Sequence, residues 1–157
     1  MSSRDLLVYI LLYLGCPPGW VPHGSSCYYI DDTPTQNQKD ARTTCQSMGG
    51  DLPIIASAEE NQFVQDLVFK QNTVTGKGAW IGLKRNDANS LFYWIDGTPL
   101  AGQYQNWGPS EPNDLGGDED CVHTLPFYYP PGTWNDLVCN NYPGPDGFPV
   151  IVCQKPI

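Results

Sequence analysis

Six cysteines constrain the fold of this chain more than any other feature of its sequence. They stand at Cys16, Cys27, Cys45, Cys121, Cys139 and Cys153. An even number of cysteines without a Cys-x-x-Cys pair fits complete disulfide pairing in an oxidising compartment and disfavours a structural zinc site. Spacing alone leaves the connectivity open. The sequence therefore predicts a disulfide-stapled extracellular protein, with six reduced cytosolic thiols as the alternative.

Length and composition indicate one loop-rich domain. The 157 residues are enough for one hydrophobic core, and two independent domains are not expected. Sixteen Gly, fifteen Pro and a charged fraction of only 16% predict much backbone in turns and irregular loops. The formal net charge of -9 repels phosphate backbones and anionic lipids. We therefore expect no nucleic-acid partner and no direct membrane insertion by the domain.

Residues 1–15 form a separate N-terminal segment. An apolar run from Leu6 to Leu14 follows Arg4. The run is too short to cross a bilayer about 30 Å thick and is typical of a signal peptide, although the residues before Cys16 make a poor cleavage pattern. We assign residues 1–15 to a signal peptide or the remnant of a membrane anchor, with an N-terminal strand as a further alternative. Residues 16–157 are the folded domain, expected to be secreted or displayed outside the cell.

The first half of that domain carries helix patterns. A turn-linked strand pair is predicted between Cys16 and Tyr29. Thr33-Pro34 predicts the start of a helix and Gly49-Gly50 its end. A capping box from Ser57 to Glu60 predicts the start of a second helix, whose apolar stripe lies between Phe63 and Val68.

The helical signal ends at Gly76, and four short strand patterns follow. They are Trp80 to Leu83, Leu91 to Ile95, Cys121 to Leu125 and Val150 to Cys153. Helices followed by strands predict an α+β fold in which two helices pack on antiparallel sheets. The stretch from Thr98 to Asp120 lacks strand alternation and is longer than most loops, which marks it as a functional loop or a disordered segment.

Side-chain oxygens are concentrated in this loop and behind Trp134. The residues are Glu111, Asn113, Asp114, Asp118, Glu119, Asp120, Asn135 and Asp136. Oxygen ligands without sulfur or imidazole suit calcium, whereas the register of an EF-hand does not fit this sequence. An acidic loop is also often simply solvated, and the residues alone leave both interpretations open.

Several motifs, in a fixed order, resemble the C-type lectin domain family. They are Trp80-Ile81-Gly82-Leu83, Asn106-Trp107, Glu111-Pro112-Asn113, Glu119-Asp120-Cys121 and Trp134-Asn135-Asp136, with the flanking cysteines. The resemblance spans about residues 16 to 156 and implies that residues 16–157 are a carbohydrate recognition domain with the C-type lectin-like fold and a long calcium-binding loop. It also implies three disulfide bridges, namely Cys16 to Cys27, Cys45 to Cys153 and Cys121 to Cys139.

The same resemblance implies a calcium ion that also contacts sugar. Family members hold it with the Glu and Asn of Glu-Pro-Asn, with a Glu ahead of a cysteine, and with the Asn-Asp after a Trp. The matching residues here are Glu111, Asn113, Glu119, Asn135 and Asp136. All of these except Asp136 are expected to contact two neighbouring sugar hydroxyls, because carboxylates accept hydrogen bonds and amides donate them. Pro112 would be cis, as in relatives.

The order of acid and amide in Glu111-Pro112-Asn113 resembles the mannose-binding type. It implies that mannose, N-acetylglucosamine or fucose-like sugars bind through a 3,4-diol, whereas galactose-binding relatives usually carry Gln-Pro-Asp. The expected partners are glycans or glycoproteins with terminal mannose-type sugars. The alternative is the same fold binding a protein, lipid or ice partner, with calcium only structural. A hydrolase is not expected, because every matched carboxylate is already allotted to the ion.

A second calcium site is kept as an alternative. Asp114, Glu119 and Asp120 match auxiliary positions of the family. Lys84 and Arg85, however, precede the long loop where relatives often carry acids. Positively charged side chains are poor neighbours for a cation.

The remaining conspicuous residues receive structural interpretations. His23 and His123 lack a nucleophile pattern and are expected to be partly exposed. Tyr128 and Tyr129 could stack on a sugar or cover the sheet, and residues 140–148 are interpreted as a surface insertion. Without a coiled-coil or collagen repeat, a homo-oligomer would form through the domain surface or another chain.

Overall fold

The structure, a computed structural model, describes residues 2–33, 35, 37–71, 78–125, 130, 132–140 and 149–157. The helices are α1 (Ser3–Leu14), α2 (Gln38–Ser47) and α3 (Ala58–Gln71). The strands are β1 (Val21–His23), β2 (Ser26–Asp31), β3 (Ala79–Arg85), β4 (Phe92–Trp94), β5 (Cys121–Thr124), β6 (Trp134–Leu137) and β7 (Val150–Pro156). A short 3₁₀ turn, Leu115–Gly117, lies within the long loop.

The strands form one seven-stranded sheet in the order β1-β2-β7-β3-β5-β6, with β4 paired to β3. Most neighbours run antiparallel, but β3 and β7 are parallel, with Ala79 opposite Val150. The predicted α+β class is confirmed. The expectation of purely antiparallel pairing is wrong at this junction, because β7 lies between β2 and β3 and its antiparallel pairing with β2 already sets its direction.

The core lies between the sheet and the helices. Val64, Leu67 and Val68 on α3 are buried, which confirms the predicted apolar stripe. On β6, Trp134 is fully buried and meets the rings of Trp94, Tyr104 and Trp107 edge to face, at centroid distances of 5.8, 5.8 and 5.9 Å. Through Tyr104 and Trp107, these aromatic contacts pack the long loop against the core.

The long loop is also hydrogen-bonded to β6. The Trp134 N–H donates to the Asn106 carbonyl, and the Gly108 N–H donates to the Trp134 carbonyl, each at 2.8 Å. β6 carries Asn135 and Asp136, and the sequence does not predict it as a strand, because Trp-Asn-Asp-Leu gives too short an alternating pattern. The long loop is therefore attached to β6, the same strand that carries the candidate ligands Asn135 and Asp136.

All three disulfides have the pairing that the family resemblance implied. Cys16 bonds Cys27, Cys45 bonds Cys153, and Cys121 bonds Cys139. No described cysteine is free. The second bridge connects α2 to β7, and the third connects β5 to the segment after β6.

Helix α2 begins later than Thr33-Pro34 predicts. Its N-cap is Asn37, and Pro34 lies outside the described residues. Thr35 contacts the rest of the domain instead, since its N–H donates to the Pro149 carbonyl at 2.9 Å and its carbonyl accepts from Trp80 Nε1 at 2.9 Å. These tertiary hydrogen bonds hold the backbone outside the helix. The predicted end holds, because the Gly50 N–H donates to the Cys45 carbonyl.

The capping box of α3 differs from the prediction in one of its two hydrogen bonds. Ser57 Oγ accepts from the Glu60 N–H at 3.1 Å, as predicted. The Glu60 carboxylate accepts from the Ala56 N–H at 2.6 Å and not from Ser57. Both free amides are still satisfied, so the start of the helix is placed correctly by the sequence.

The N-terminal apolar run is a helix and not a strand. Ser2 caps α1 by accepting from the Asp5 N–H at 3.2 Å, and Leu7 and Val8 are exposed to solvent. Within the described part of the chain, no helix has the length and apolar character needed to cross a membrane. The assignment of residues 1–15 to a signal peptide or anchor remnant stays a prediction.

The bridge between Cys45 and Cys153 should dominate stability. It spans 108 positions, against 11 for the Cys16–Cys27 bridge. The loop-closure model gives a loss of about 5 kcal/mol in the free energy of unfolding for Cys45→Ala with Cys153→Ala, and about 3 kcal/mol for the matched control Cys16→Ala with Cys27→Ala. Denaturant unfolding of both variants measures the difference, and equal losses would contradict this ranking.

Candidate functional site

The candidate site begins at a sharp bend in the long loop. The Glu111-Pro112 peptide bond is cis, as the family resemblance implied. The Glu111 N–H donates to the Gly108 carbonyl at 3.0 Å, which closes the turn before the proline. Beyond the proline, Asn113 Nδ2 donates to Glu111 Oε1 at 3.0 Å. The two predicted sugar contacts are thus side by side.

The Asp136 carboxylate attaches this bend to the sheet. Asp136 is 0% exposed. Its Oδ1 accepts from the Asn113 N–H at 3.0 Å, and its Oδ2 accepts from the Asp114 N–H at 3.0 Å. Arg85 Nη2 donates to the same Oδ2 at 2.6 Å. One buried side chain on β6 therefore fixes two consecutive loop residues and pairs with a cation on β3.

Glu119 closes the loop from its other end. It is 7% exposed, and its Oε2 accepts from the Leu115 N–H at 2.8 Å. The same N–H lies 2.9 Å from Asn113 Oδ1. The Glu119 N–H in turn donates to Asp114 Oδ1 at 3.2 Å. The turn at Leu115–Gly117 thus brings Glu119 back to Asn113.

Negative charge is concentrated around Glu111. Its Oε2 is buried without a hydrogen-bond partner. The Glu111 carboxylate lies close to the Asp136 carboxylate. Two ionised carboxylates cannot hydrogen-bond to each other, because neither carries a proton. Burial, together with the neighbouring carboxylates of Asp136 and Glu119, raises the pKa of Glu111 to about 7. Burial also raises the pKa of Glu119. Such a cluster is stabilised by a proton or by a cation.

Asn135 differs from the other four predicted ligands. Its described side-chain contact is with His123, whose Nε2 lies 3.2 Å from Asn135 Nδ2. His123 is 7% exposed, so the expectation of a partly exposed histidine is wrong, because β5 is an inner strand that pairs with both β3 and β6. Burial lowers the pKa of His123 to about 4, which keeps the ring neutral. Because the amide nitrogen can only donate, Nε2 accepts from it in the tautomer that carries the ring proton on Nδ1.

The residues of the alternative second calcium site are engaged with other partners. Asp114 Oδ1 accepts from the Glu119 N–H. Asp120 Oδ1 lies 3.6 Å from Arg85 Nε, and the Glu119 carbonyl accepts from the same nitrogen at 3.3 Å. The sequence marks Arg85 only as a poor neighbour for a cation and does not predict its contact with Asp136. A buried acid that lacks a predicted partner is the signal that could have found it.

The donor atoms of the five predicted ligands, Glu111, Asn113, Glu119, Asn135 and Asp136, are of the kind that calcium takes. Within the described ranges, no three side chains of His, Cys, Asp or Glu converge on a metal position. The predicted set has two amides beside its three carboxylates, and hard oxygen ligands of this kind are those calcium takes. The buried Glu111 Oε2 without a donor is the observation that fits a cation. Tyr128, Tyr129 and residues 141–148 lie outside the described residues.

Comparison with known proteins identifies the family. The Lectin C-type domain matches residues 34–145. Human C-type lectin domain family 10 member A is 38% identical over 129 residues, which are 79% of this chain and 37% of that protein. Rat asialoglycoprotein receptor 1 is 36% identical over 79% of this chain and 41% of its own length. The chain belongs to the C-type lectin domain family, and it spans well under half of these curated relatives.

Solved structures share the fold. The cow CD23 carbohydrate-recognition domain, determined with a GlcNAc2Man3 oligosaccharide, is 34% identical with a TM-score of 0.72 and covers 90% of this chain and 96% of that chain. A calcium-independent type II antifreeze protein is 29% identical with a TM-score of 0.70, covering 90% and 94%. The chain therefore has the C-type lectin fold of a carbohydrate-binding, non-enzymatic family.

Replacing Glu111 should separate charge repulsion from ion binding. Glu111→Gln removes one buried negative charge beside Asp136, so the calcium-free variant should melt a few degrees above the parent. The same change should weaken calcium binding by more than about tenfold, because a carboxylate ligand is lost. Thermal melting in chelator and calcium titration measure the two effects. The control Glu59→Gln changes an exposed acid on α3, and an unchanged calcium affinity in Glu111→Gln would contradict the assignment.

Proposed function

We propose that this domain is a calcium-dependent lectin for mannose-type sugars. The observation that carries the proposal is the pairing of Glu111 and Asn113 at the bend, with a carboxylate and an amide 3.0 Å apart. The backbone of both residues is held in place. The Asn113 N–H donates to Asp136, and the Glu111 N–H donates to the Gly108 carbonyl. The acid and amide are therefore presented together at one surface.

The five proposed ligands supply the oxygens that calcium prefers. They are Glu111, Asn113, Glu119, Asn135 and Asp136. Calcium, when bound, would supply coordination positions for two neighbouring sugar hydroxyls. The carboxylates of Glu111 and Glu119 would accept the hydroxyl protons, and the amides of Asn113 and Asn135 would donate to the oxygens. His123 assists by orienting the Asn135 amide.

The acid-then-amide order supports mannose, N-acetylglucosamine or fucose-like sugars. A 3,4-diol presents its donors and acceptors in a fixed arrangement, so exchanging an acid and an amide changes which diol fits. The natural partners would be glycans or glycoproteins ending in such sugars. Three disulfides favour an extracellular location, either secreted or as part of a membrane protein. One sugar makes few contacts, so useful avidity would need several copies.

A second candidate is a domain that binds its partner without calcium at the bend. The observation that favours it is the ion pair between Arg85 and Asp136, because a protein cation already neutralises one proposed ligand. A calcium-independent antifreeze protein has a similar fold. The unpartnered Glu111 oxygen favours the calcium-dependent proposal over this candidate.

Exchanging the acid and amide should change the preferred sugar. Glu111→Gln together with Asn113→Asp keeps one carboxylate and one amide, so calcium binding should be largely retained. Mannose affinity should fall more than about tenfold, since the donors and acceptors no longer match the equatorial diol, and galactose binding should rise. Calorimetry with free sugars and a glycan array, each with and without chelator, measure the outcome.

The matched control is an acid and amide exchange on the surface of α3. Gln62 Nε2 donates to Asp66 Oδ1 at 3.0 Å, and Gln62→Glu with Asp66→Asn conserves the charge in the same way. This control should bind mannose like the parent. Calcium binding with unchanged mannose affinity in the Glu111 and Asn113 double variant would show that the bend is not the sugar contact. Sugar binding that resists chelator would favour the second candidate.

The affinity of the parent protein for a single free sugar is a further test. Monovalent mannose should bind the parent with a dissociation constant of about 1 mM, because one sugar on an open ion makes few contacts. Titration of a proven monomer measures it. Nanomolar binding of the free sugar would contradict an open, single-sugar site.

A further inference from the structure

Arg85 is placed as a structural cation at the base of the site. It ends β3, and its side chain is 13% exposed. The guanidinium bonds Asp136 Oδ2 through Nη2 at 2.6 Å, while Nε lies 3.3 Å from the Glu119 carbonyl and 3.6 Å from Asp120 Oδ1. One side chain therefore contacts both segments that carry proposed ligands.

The environment of Arg85 is built to hold the guanidinium in place. Its Cζ lies 4.5 Å from the centroid of the Phe92 ring on β4, which fixes one face of the planar group. The Arg85 N–H also donates to the Asp120 carbonyl at 2.7 Å. By contrast, the adjacent Lys84 is exposed on the other side of the strand. The two neighbouring cations are thus in different surroundings.

The acids around Arg85 need compensation in the absence of metal. Asp136 is fully buried, and a buried carboxylate without a partner is strongly destabilising. Asp120 and Asp136 approach the guanidinium from different elements. A charge fixed between them performs the neutralising role that a second metal ion would otherwise have, and an added divalent ion at Asp120 would meet its repulsion.

We propose that Arg85 is a resident cation of the sugar site, which takes the place of a second calcium ion beside Asp120 and Glu119 and also pairs with Asp136. It keeps the loop assembled before calcium binds, and the domain binds one calcium ion per chain. The inference rests on the proposed function, since it presumes a calcium ion at Glu111. Arg85 is a positioning residue, because it acts through Asp136 and Glu119 and does not contact sugar.

Arg85→Met tests the proposal, with Lys84→Met as the matched control. Methionine keeps an apolar stem beside Phe92 but removes the charge, and the control removes the same charge from an exposed position. In chelator, Arg85→Met should lower Tm by about 10 °C, because it leaves Asp136 buried without its cation, and Lys84→Met should lower it by less than about 2 °C. The parent is expected to bind one calcium ion in calorimetry and in metal analysis.

Hydrogen exchange adds a readout that general destabilisation does not reproduce. The amides of Asn113 and Asp114 donate to Asp136, so in calcium-free Arg85→Met they should exchange at least about tenfold faster, while amides of α3 should be much less affected. Calcium should restore their protection.

The outcomes distinguish this inference from the proposed function. Two calcium ions bound to the parent, or an Arg85→Met protein with the Tm and exchange rates of Lys84→Met, would overturn the role of Arg85 and leave the calcium-dependent lectin intact. No calcium bound to the parent would overturn the proposed function and this inference together. The ion count is measured on the parent, so two bound ions would overturn the inference even if Arg85→Met does not fold.

Discussion

The buried carboxylate of Asp136 is the interaction on which the candidate site depends. It accepts hydrogen bonds from two consecutive loop amides and from Arg85, so it joins the long loop, β6 and β3. A charge with no exposure is tolerated only when it is paired and hydrogen-bonded. The pairing with Arg85 meets this requirement without a metal. Glu111, next to it, has a buried oxygen that lacks such a partner, and an added cation would compensate this oxygen.

The scaffold places this cluster by covalent and aromatic constraints more than by regular structure. The Cys121–Cys139 bridge holds β5 against the segment after β6, and Trp134 fixes the loop through two backbone hydrogen bonds and three ring contacts. The hydrogen bonds within the loop, such as the one from the Glu111 N–H to the Gly108 carbonyl, are thus supplemented by bonds to β6. The shape of the loop is set by β6, whose conformation is set in turn by the core.

Much of the fold follows from the sequence, since capping residues, apolar periodicity and cysteine motifs act locally. The disulfide pairing came from family resemblance, because spacing alone leaves it open. What could not be predicted depends on distant partners. The start of α2 is displaced to Asn37 because Thr35 bonds to Pro149 and Trp80, which are remote in the chain. The partnership of Arg85 with Asp136 is equally non-local, since 51 positions separate them. The ligand residues stay a prediction, and their arrangement around Asp136 depends on contacts that the sequence does not indicate.

A crystal structure of the domain grown with calcium and mannose tests the central claim most directly. The account predicts one ion held by Glu111, Asn113, Glu119, Asn135 and Asp136, with two adjacent sugar hydroxyls on the ion and their hydrogen bonds directed to the acid and amide of the bend. Arg85 should remain on Asp136, and no second ion should lie beside Asp120. Mannose bound elsewhere on the domain, or bound at the bend without an ion, would contradict the account.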